Sequence, residues 1–508
     1  MICLSLIAAT LSENLRLVAR YAADVDMLEL RADYLLHEER AELDRFPRAL
    51  PPGRSGAPLP VILTVRAWRD GGQWDEGEDE RRQLLLYGVR GGGYRYVDLE
   101  RWLRGSDAEL LAAAAAAGTT VIRSTHNFDG VPGDLARLLD SGSCPGEIPK
   151  AAVMPAGSAD LLHFVRTVST LPLQPRIAVA MGAAGFATRV LARRLGSMLT
   201  FCSPTDIDAV GAAPGHIDPE TMSRLYRYHS ISDNSAVFGV IGNPVMHSQS
   251  PAYHNRRFAE DNLDAVYLPF EVDDVDAFFE LAELLPVAGV SVTIPHKQAV
   301  MRHLAQRDPS VIGAGACNTV VQSGAARGGW KGYNSDVLGF LEPLQQAAAA
   351  TGWSDLRGRR ATVVGAGGAA RAVVYALLQQ GMELLLLNRT LDRAQTLARD
   401  LGACAAVHCA RLDDSAGREM AGYAELIVQT TSVGMAPDAE SDPLPFYQFS
   451  GAEIVYDLVY TPPLTRLLQR ARDAGCITVS GRKMFEAQAD AQYRLFRALQ
   501  FADGAPRQ

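Results

Sequence analysis

Eight short apolar runs recur through the first half of the chain, at 2–8, 27–32, 61–66, 94–99, 119–125, 150–154, 176–181 and 198–202. Each has strand length, and alanine- and leucine-rich amphipathic segments separate most of them. The alanine run at 111–117 reads as one of these helices. Eight strands alternating with helices over about this length close into a (β/α)8 barrel. Such barrels carry chemistry at the C-terminal ends of their strands. That is where this half keeps Glu29, Arg31, Arg66, Asp98 and His126. A polar break follows at 226–234 (YRYHSISDN), and a new α/β alternation begins at Ala236. A final helix, 484–501, is expected to fold back onto the segment after that break.

The clearest single pattern is the stretch 361–390, ATVVGAGGAARAVVYALLQQGMELLLLNRT. An apolar strand enters Gly365-Ala366-Gly367-Gly368-Ala369-Ala370, and an apolar helix and a second strand follow. Gly365 and Gly367 permit a tight turn and close backbone approach to a pyrophosphate, with Gly368 and Ala369 opening the helix. Ala370 takes the small-residue position where helix meets strand. The helix N-terminus offers unpaired N–H groups to phosphates. At the end of the second strand stands Asn388-Arg389-Thr390 rather than an acidic residue. An always-charged guanidinium suits a ribose 2′-phosphate, so the expected cofactor is NADP.

Composition narrows the setting. The chain is 48% hydrophobic and 21% charged with a formal net charge of −9, which disfavours nucleic acid or an anionic membrane as partner. Seven cysteines lie scattered with no metal-site spacing, so no metal site is expected. This cysteine usage predicts a reducing, cytoplasmic compartment. The apolar N-terminus, MICLSLIAAT, lacks a basic leader and reads as a first strand. Oligomeric state is not legible.

Between the break and the nucleotide motif lie four polar clusters: His247 to Pro251 (HSQSP), Ser291 to Lys297 (SVTIPHK), Cys317-Asn318-Thr319 and Asn334-Ser335-Asp336. Together they suit a small polyol bearing a carboxylate. Ketone reduction needs a proton donor at the developing alkoxide, which Lys297 paired with Asp336 could supply. From Ala236 onward the chain resembles the shikimate dehydrogenase family, NADP-dependent α/β enzymes that reduce 3-dehydroshikimate to shikimate. The resemblance implies Ser248 and Ser250 on the substrate carboxylate, and Thr293, Asn318 and Gln488 on its hydroxyls. It implies Lys297 and Asp336 as the catalytic pair and Arg389 on the 2′-phosphate. Thr430, Thr431 and Ser432 would lie in a loop near the cofactor. Ser291 stands where Asn is usual, and Val337 where Gly is usual; either could shift preference between shikimate and quinate.

In the first half, Lys150 opens the run KAAVMP. A lysine inside a barrel loses hydration, which would favour a neutral, nucleophilic amine. His126, on the neighbouring strand, could move protons, and Arg189, just past the loop MGAAGFAT, could hold a carboxylate. Residues 1–225 resemble the type I 3-dehydroquinate dehydratases through LELRAD, LTVRAWRDGG, STHNF, PKAAVMP and the APG segment Ala213-Pro214-Gly215. The resemblance implies Lys150 as the Schiff-base lysine and His126 as general acid/base, with Glu29, Arg31, Arg66 and Arg189 binding substrate. Asp70 replaces a Glu expected to orient His126, with one methylene less reach. Ala212 and His216 replace polar residues of the closing loop.

The expected division is a dehydratase-like barrel over 1–228, a linker over 229–235, a substrate-binding domain over 236–345 completed by 481–508, and a Rossmann-like NADP-binding domain over 355–480. The two resemblances are to consecutive steps, since the product of the first is the substrate of the second. They imply a bifunctional enzyme handling 3-dehydroquinate, 3-dehydroshikimate and shikimate. Two other readings remain open: an active shikimate or quinate dehydrogenase with a slow or retuned barrel, and a regulator that binds these metabolites without turnover.

Overall fold

The computed structural model describes residues 1–54, 56–140, 142, 145–204, 217–323 and 329–500. Ala212 to His216, singled out above, lie outside the described residues. The chain divides into two compact units, one holding Met1–Gly239 and Pro244–Val287, the other Val240–Asn243 and the residues from Ala288 onward.

In the first unit, eight parallel strands make a nearly closed barrel. They are β1 (Ile2–Leu6), β2 (Met27–Arg31), β3 (Val61–Thr64), β4 (Tyr96–Glu100), β5 (Thr120–Asn127), β6 (Ile148–Val153), β7 (Ile177–Ala180) and β8 (Thr200–Cys202). Each of β1 to β6 pairs with its successor, and β8 pairs with β1. Alternation then decides what faces inward. The interior cluster takes Ile62 from β3, Ile122 from β5, and Ile148 and Ala152 from β6. Lys150 falls between the last two and shares their face. Two local expectations are corrected. The sixth strand starts at Ile148 rather than Lys150, and the stretch MGAAGFAT forms the helix Gly182–Val190, with Arg189 in its last turn.

The segment 229–235 is no loose tether. Arg194 Nη2 donates to the carbonyls of Ser232, Asp233 and Ser235 at 3.0, 3.0 and 2.6 Å, and Tyr228 and Ile231 are buried. Beyond it, β9 (Ala236–Gly242) starts the next alternation, followed by the helix Ser250–Glu260 and β10 (Ala265–Glu271).

The second unit contains two sheet regions. In the first, β11 (Val287–Val292) pairs antiparallel with β13 (Thr319–Gln322), which pairs antiparallel with β14 (Trp330–Tyr333). That strand in turn runs parallel to β12 (Leu304–Arg307). The last helix, Gly481–Gln500, lies along the helix Ser335–Ala350. The second region is a six-stranded parallel sheet of β15 (Arg360–Val364), β16 (Glu383–Asn388), β17 (Val407–Arg411), β18 (Leu426–Gln429), β19 (Ile454–Asp457) and β20 (Ile477–Ser480). Its order is β17-β16-β15-β18-β19-β20, so the direction of winding reverses between β15 and β18. Leu384 and Leu386 enter one core and Leu385 and Leu387 the other, which explains the unbroken apolar run of β16.

The barrel interior should dominate stability of its unit. Ile122→Ala, at a fully buried position, is expected to cost about 2–5 kcal/mol in denaturant unfolding. An unchanged unfolding midpoint would show that the interior tolerates the cavity.

Candidate active sites

The inward positions near the C-terminal ends of the barrel strands enclose a cavity of about 360 Å³. Glu29, Arg31, Arg66, Asp70, His126, Lys150 and Arg189 all line it, so seven residues from five stretches of sequence meet in one place. Lys150 sits in β6 opposite Ser124 of β5, and its ammonium donates to Asp98 Oδ2 at 2.8 Å and lies 3.8 Å from Glu29 Oε1. Its Nζ is also 4.5 Å from the centre of the Phe201 ring. Lys150 is buried as the sequence suggested, and the structure adds its ion pair with Asp98.

Pairing spreads outward from that contact. Arg66 bridges Asp98 and Glu100, both at 2.8 Å, and Glu100 also accepts from the fully buried Arg81 at 2.9 Å. Burial opposes the charge on Asp98, but Arg66 and Lys150 outweigh it and hold the carboxyl far below the usual range. Glu29 accepts from the Ser5 and Thr64 hydroxyls at 2.9 and 3.0 Å. Arg31 is fixed by two hydrogen bonds to Asp33, and burial pushes Arg189 down to about 10. Burial and the neighbouring Arg66 cation push the His126 imidazole down to about 4, against the raising effect of Asp70, so it stands neutral near pH 7. His126 Nδ1 is 3.6 Å from Asp70 Oδ1, consistent with the shorter reach expected of Asp70.

Sequence reasoning gave Asp98 no role and missed Glu100, Ser124 and Arg81. Strand periodicity held a signal: Asp98 and Glu100 share a face of β4, as Ser124 and His126 share one of β5. Arg81 also lies at helical spacing with Leu85 and Val89, all buried on the inner face of the helix Glu78–Gly91.

In the second unit, Lys297 forms an ion pair with Asp336, at the start of the helix Ser335–Ala350. The Asn334 side chain caps that helix by accepting from the Asp336 N–H at 3.1 Å, and the helix N-terminus favours the carboxylate. Asn318 Nδ2 donates to Asp336 Oδ1 at 2.8 Å. Ser291 donates to Gln492 Oε1 at 2.7 Å, and Gln492 donates to the Thr319 hydroxyl at 3.0 Å. Gln492, one helical turn beyond Gln488, is a further missed residue. Gln488 donates to the Phe485 carbonyl of its own helix, and Val337 is buried in the core. Thr293 is tied through its N–H to the Ile241 carbonyl at 2.9 Å. Ser248 and Ser250 belong to the first unit, at the start of the helix Ser250–Glu260.

The glycine turn sits at the reversal between β15 and β18. Gly365 has φ +109°, and a Cβ there would lie 2.6 Å from Thr430 Oγ1. Gly367 precedes the helix Gly368–Gln379, and a Cβ there would meet nothing within 4 Å, leaving open space over the turn. A Cβ on Gly368 would lie 3.5 Å from the Lys297 side chain, which brings the turn beside the ion pair. Arg389 and Thr390 are exposed after β16, with Asn388 donating to the Thr390 carbonyl. An open, glycine-lined helix start with a free-standing guanidinium fits a phosphorylated dinucleotide. Among the described residues no cluster could hold a metal ion, and no helix is long and apolar enough to cross a membrane.

Comparison with known proteins places both halves of the chain in known families. Residues 2–233 match the type I 3-dehydroquinase family, 240–320 the shikimate dehydrogenase substrate-binding domain, and 347–433 the shikimate/quinate 5-dehydrogenase family. The chain is 31% identical over 488 residues to the chloroplastic bifunctional 3-dehydroquinate dehydratase/shikimate dehydrogenase of Arabidopsis thaliana, covering 93% of this chain and 78% of that protein. This chain belongs to the bifunctional 3-dehydroquinate dehydratase/shikimate dehydrogenase family. Its second half is also 40% identical to the NADP(+) shikimate dehydrogenase of Moorella thermoacetica, over 52% of this chain and 89% of that one. It is 42% identical to the corresponding enzyme of Symbiobacterium thermophilum, over 50% and 85%. The protein is a bifunctional enzyme, a 3-dehydroquinate dehydratase and an NADP-dependent shikimate dehydrogenase.

Two measurements check this geometry. With histidine-selective labelling, His126 should titrate near pH 4; a midpoint near the ordinary imidazole value of about 6.5 would contradict its burial beside Arg66. Gly365→Ala should weaken NADPH binding about tenfold or more in a fluorescence titration, because the new Cβ meets Thr430 on a left-handed backbone. Unchanged affinity would separate the turn from the cofactor.

Proposed function

We propose that Lys150 forms a protonated imine with the ketone of 3-dehydroquinate and that His126 carries the protons of the elimination. The observation that carries this reading is the shared cavity, in which the buried amine of Lys150 and a neutral imidazole face one volume. Lys150 passes one ammonium proton to the neighbouring Glu29, the freed amine adds to the ketone, and that proton returns as the carbinolamine oxygen leaves as water, so the product is an iminium. Asp98, held ionised, neutralises that nitrogen as ammonium and then as iminium. The iminium acidifies the adjacent C–H, and neutral His126 takes its proton. The C–H electrons enter the iminium as an enamine, which expels the β-hydroxyl; His126 returns its proton to that oxygen, so water leaves. Hydrolysis of the imine frees 3-dehydroshikimate and Lys150. Arg31, Arg66 and Arg189 orient the carboxylate and hydroxyls, with Glu29 beside the amine.

For the reduction, Lys297 delivers a proton to the oxygen that gains charge, and Asp336 holds the ammonium in place. Asn318 fixes the second Asp336 oxygen and, with Thr293 and Gln488, binds substrate hydroxyls; Ser248 and Ser250 stay assigned to the carboxylate by resemblance. Bound NADPH supplies the hydride. Gly365, Gly367, Gly368 and Ala369 would hold its pyrophosphate, Asn388, Arg389 and Thr390 its 2′-phosphate, and Thr430 and Ser432 the adjoining face. The division into a barrel over 1–228 and a dehydrogenase from 236 onward is supported by the family matches. Unpaired cysteine spacing supports a reducing, cytoplasmic setting.

A one-pot assay with 3-dehydroquinate and NADPH, following enone absorbance and nicotinamide oxidation together, tests both assignments. Lys150→Ala should abolish both signals with 3-dehydroquinate yet oxidise NADPH when given 3-dehydroshikimate. Lys297→Ala should let the enone accumulate while NADPH oxidation falls at least about a hundredfold. Enone formation by the Lys150 variant would overturn the imine assignment.

A further inference from the structure

The mechanism leaves one contact at the cavity rim unused. Trp102, in the turn Arg101–Leu103 after β4, is 39% exposed, yet its indole N–H points inward and donates to Asp70 Oδ2 at 2.9 Å. Asp70 lies in the turn Trp68–Asp70 after the neighbouring strand β3. Its other oxygen, Oδ1, faces His126 Nδ1 at 3.6 Å, slightly beyond a normal hydrogen bond. That nitrogen is fully buried.

A carboxylate on a short side chain can turn either oxygen toward a partner. Here Oδ2 is claimed from one side: by the Trp102 N–H, and by Arg69 Nε at 3.7 Å. The indole is itself clamped. The Arg69 guanidinium stacks 3.2 Å from its ring centre and that of Arg81 lies 5.2 Å from it. Arg81 is immobilised by Glu78, Glu100 and the Val65 carbonyl. A rigid donor on Oδ2 leaves Oδ1 aimed at the imidazole.

We propose that Trp102 is a positioning residue for the dehydratase, holding Asp70 so that His126 keeps Nδ1 protonated and presents the Nε2 lone pair to substrate. A neutral imidazole has two tautomers, and only the one with its lone pair toward the cavity acts as a base there. With Oδ2 held by Trp102, the charge on Oδ1 stays 3.6 Å from Nδ1 and favours the proton on that nitrogen. The ionisation of Asp70 agrees: burial opposes its charge, and hydrogen bonding involving His126 and Trp102 outweighs it, so the acceptor stays anionic. This inference rests on the assignment of His126 as the proton carrier.

The test is steady-state kinetics of Trp102→Phe, Asp70→Glu, the double variant and His126→Ala in the full-length enzyme. Phenylalanine keeps an aromatic ring beside the arginines and removes the N–H donor. Trp102→Phe should lower dehydratase kcat about tenfold, the worth of one hydrogen bond, with KM held within about a factor of two. Shikimate dehydrogenase activity, which serves as the folding control, should stay at wild-type level. In the Trp102→Phe background, Asp70→Glu should restore kcat to within about threefold of wild type, because an added methylene closes the gap to Nδ1 without the clamp. Wild-type kcat in Trp102→Phe, a loss confined to KM, or failure of the glutamate to restore kcat would each overturn the role of Trp102. Full activity in His126→Ala would overturn the assignment of His126 itself.

Discussion

A positive charge buried inside a barrel has to be answered where it sits, and Lys150 is answered by Asp98. That one pairing commits its neighbours. Asp98 also receives Arg66, Arg66 receives Glu100, and Glu100 receives Arg81 from the outer helix layer. The chain of alternating charge ends only where an outer helix meets solvent, at the half-exposed Glu78. Removing one member would leave its direct neighbours short of a partner in a buried position.

The same constraint shapes the chemistry. The nitrogen of Lys150 stays cationic on both sides of imine formation, so a fixed anion beside it serves both states without rearrangement. The cation next to His126 has the opposite effect and keeps the imidazole neutral. A neutral base and a neutralised cation thus share one cavity. The second unit repeats the logic with less burial: Lys297 is paired to Asp336, whose second oxygen is held by Asn318 and whose helix is capped by Asn334. Ser291 is bound by Gln492 rather than left open toward substrate, which ties the last helix to the strand carrying the site.

Much of this was legible in sequence because it rests on periodicity and on glycine. The eight strand runs, the glycine turn and the last helix follow from apolar spacing, and each barrel strand lies within a few residues of its predicted position. Glu29, Arg31, Arg66 and His126 were legible as polar positions at strand ends; Lys150 came from the start of an apolar run, Arg189 from the stretch after a glycine-containing segment, and Asp70 from the family resemblance. Their partners were less so. Arg81 enters the site from a helix far from the motif residues, and no local pattern says which carboxylate it meets. Trp102 reads as an ordinary exposed aromatic until the turn bearing Asp70 is brought beside it. The burial of Lys150 could be read from an apolar run, whereas its charge pairing with Asp98 across neighbouring strands needs the barrel itself. The helix Gly182–Val190 was mistaken for a loop because its two glycines suggest a turn; Gly185 is required there for close approach to the Ala180 carbonyl.

The central claim is that the paired, buried Lys150 is the amine that takes up the ketone. Borohydride reduction of the full-length enzyme in the presence of 3-dehydroquinate, followed by peptide mass spectrometry, tests it most directly. The account predicts irreversible loss of dehydratase activity and a single mass adduct on the peptide containing Lys150, with the dehydrogenase still active. Substrate turnover with no adduct on that lysine would contradict it.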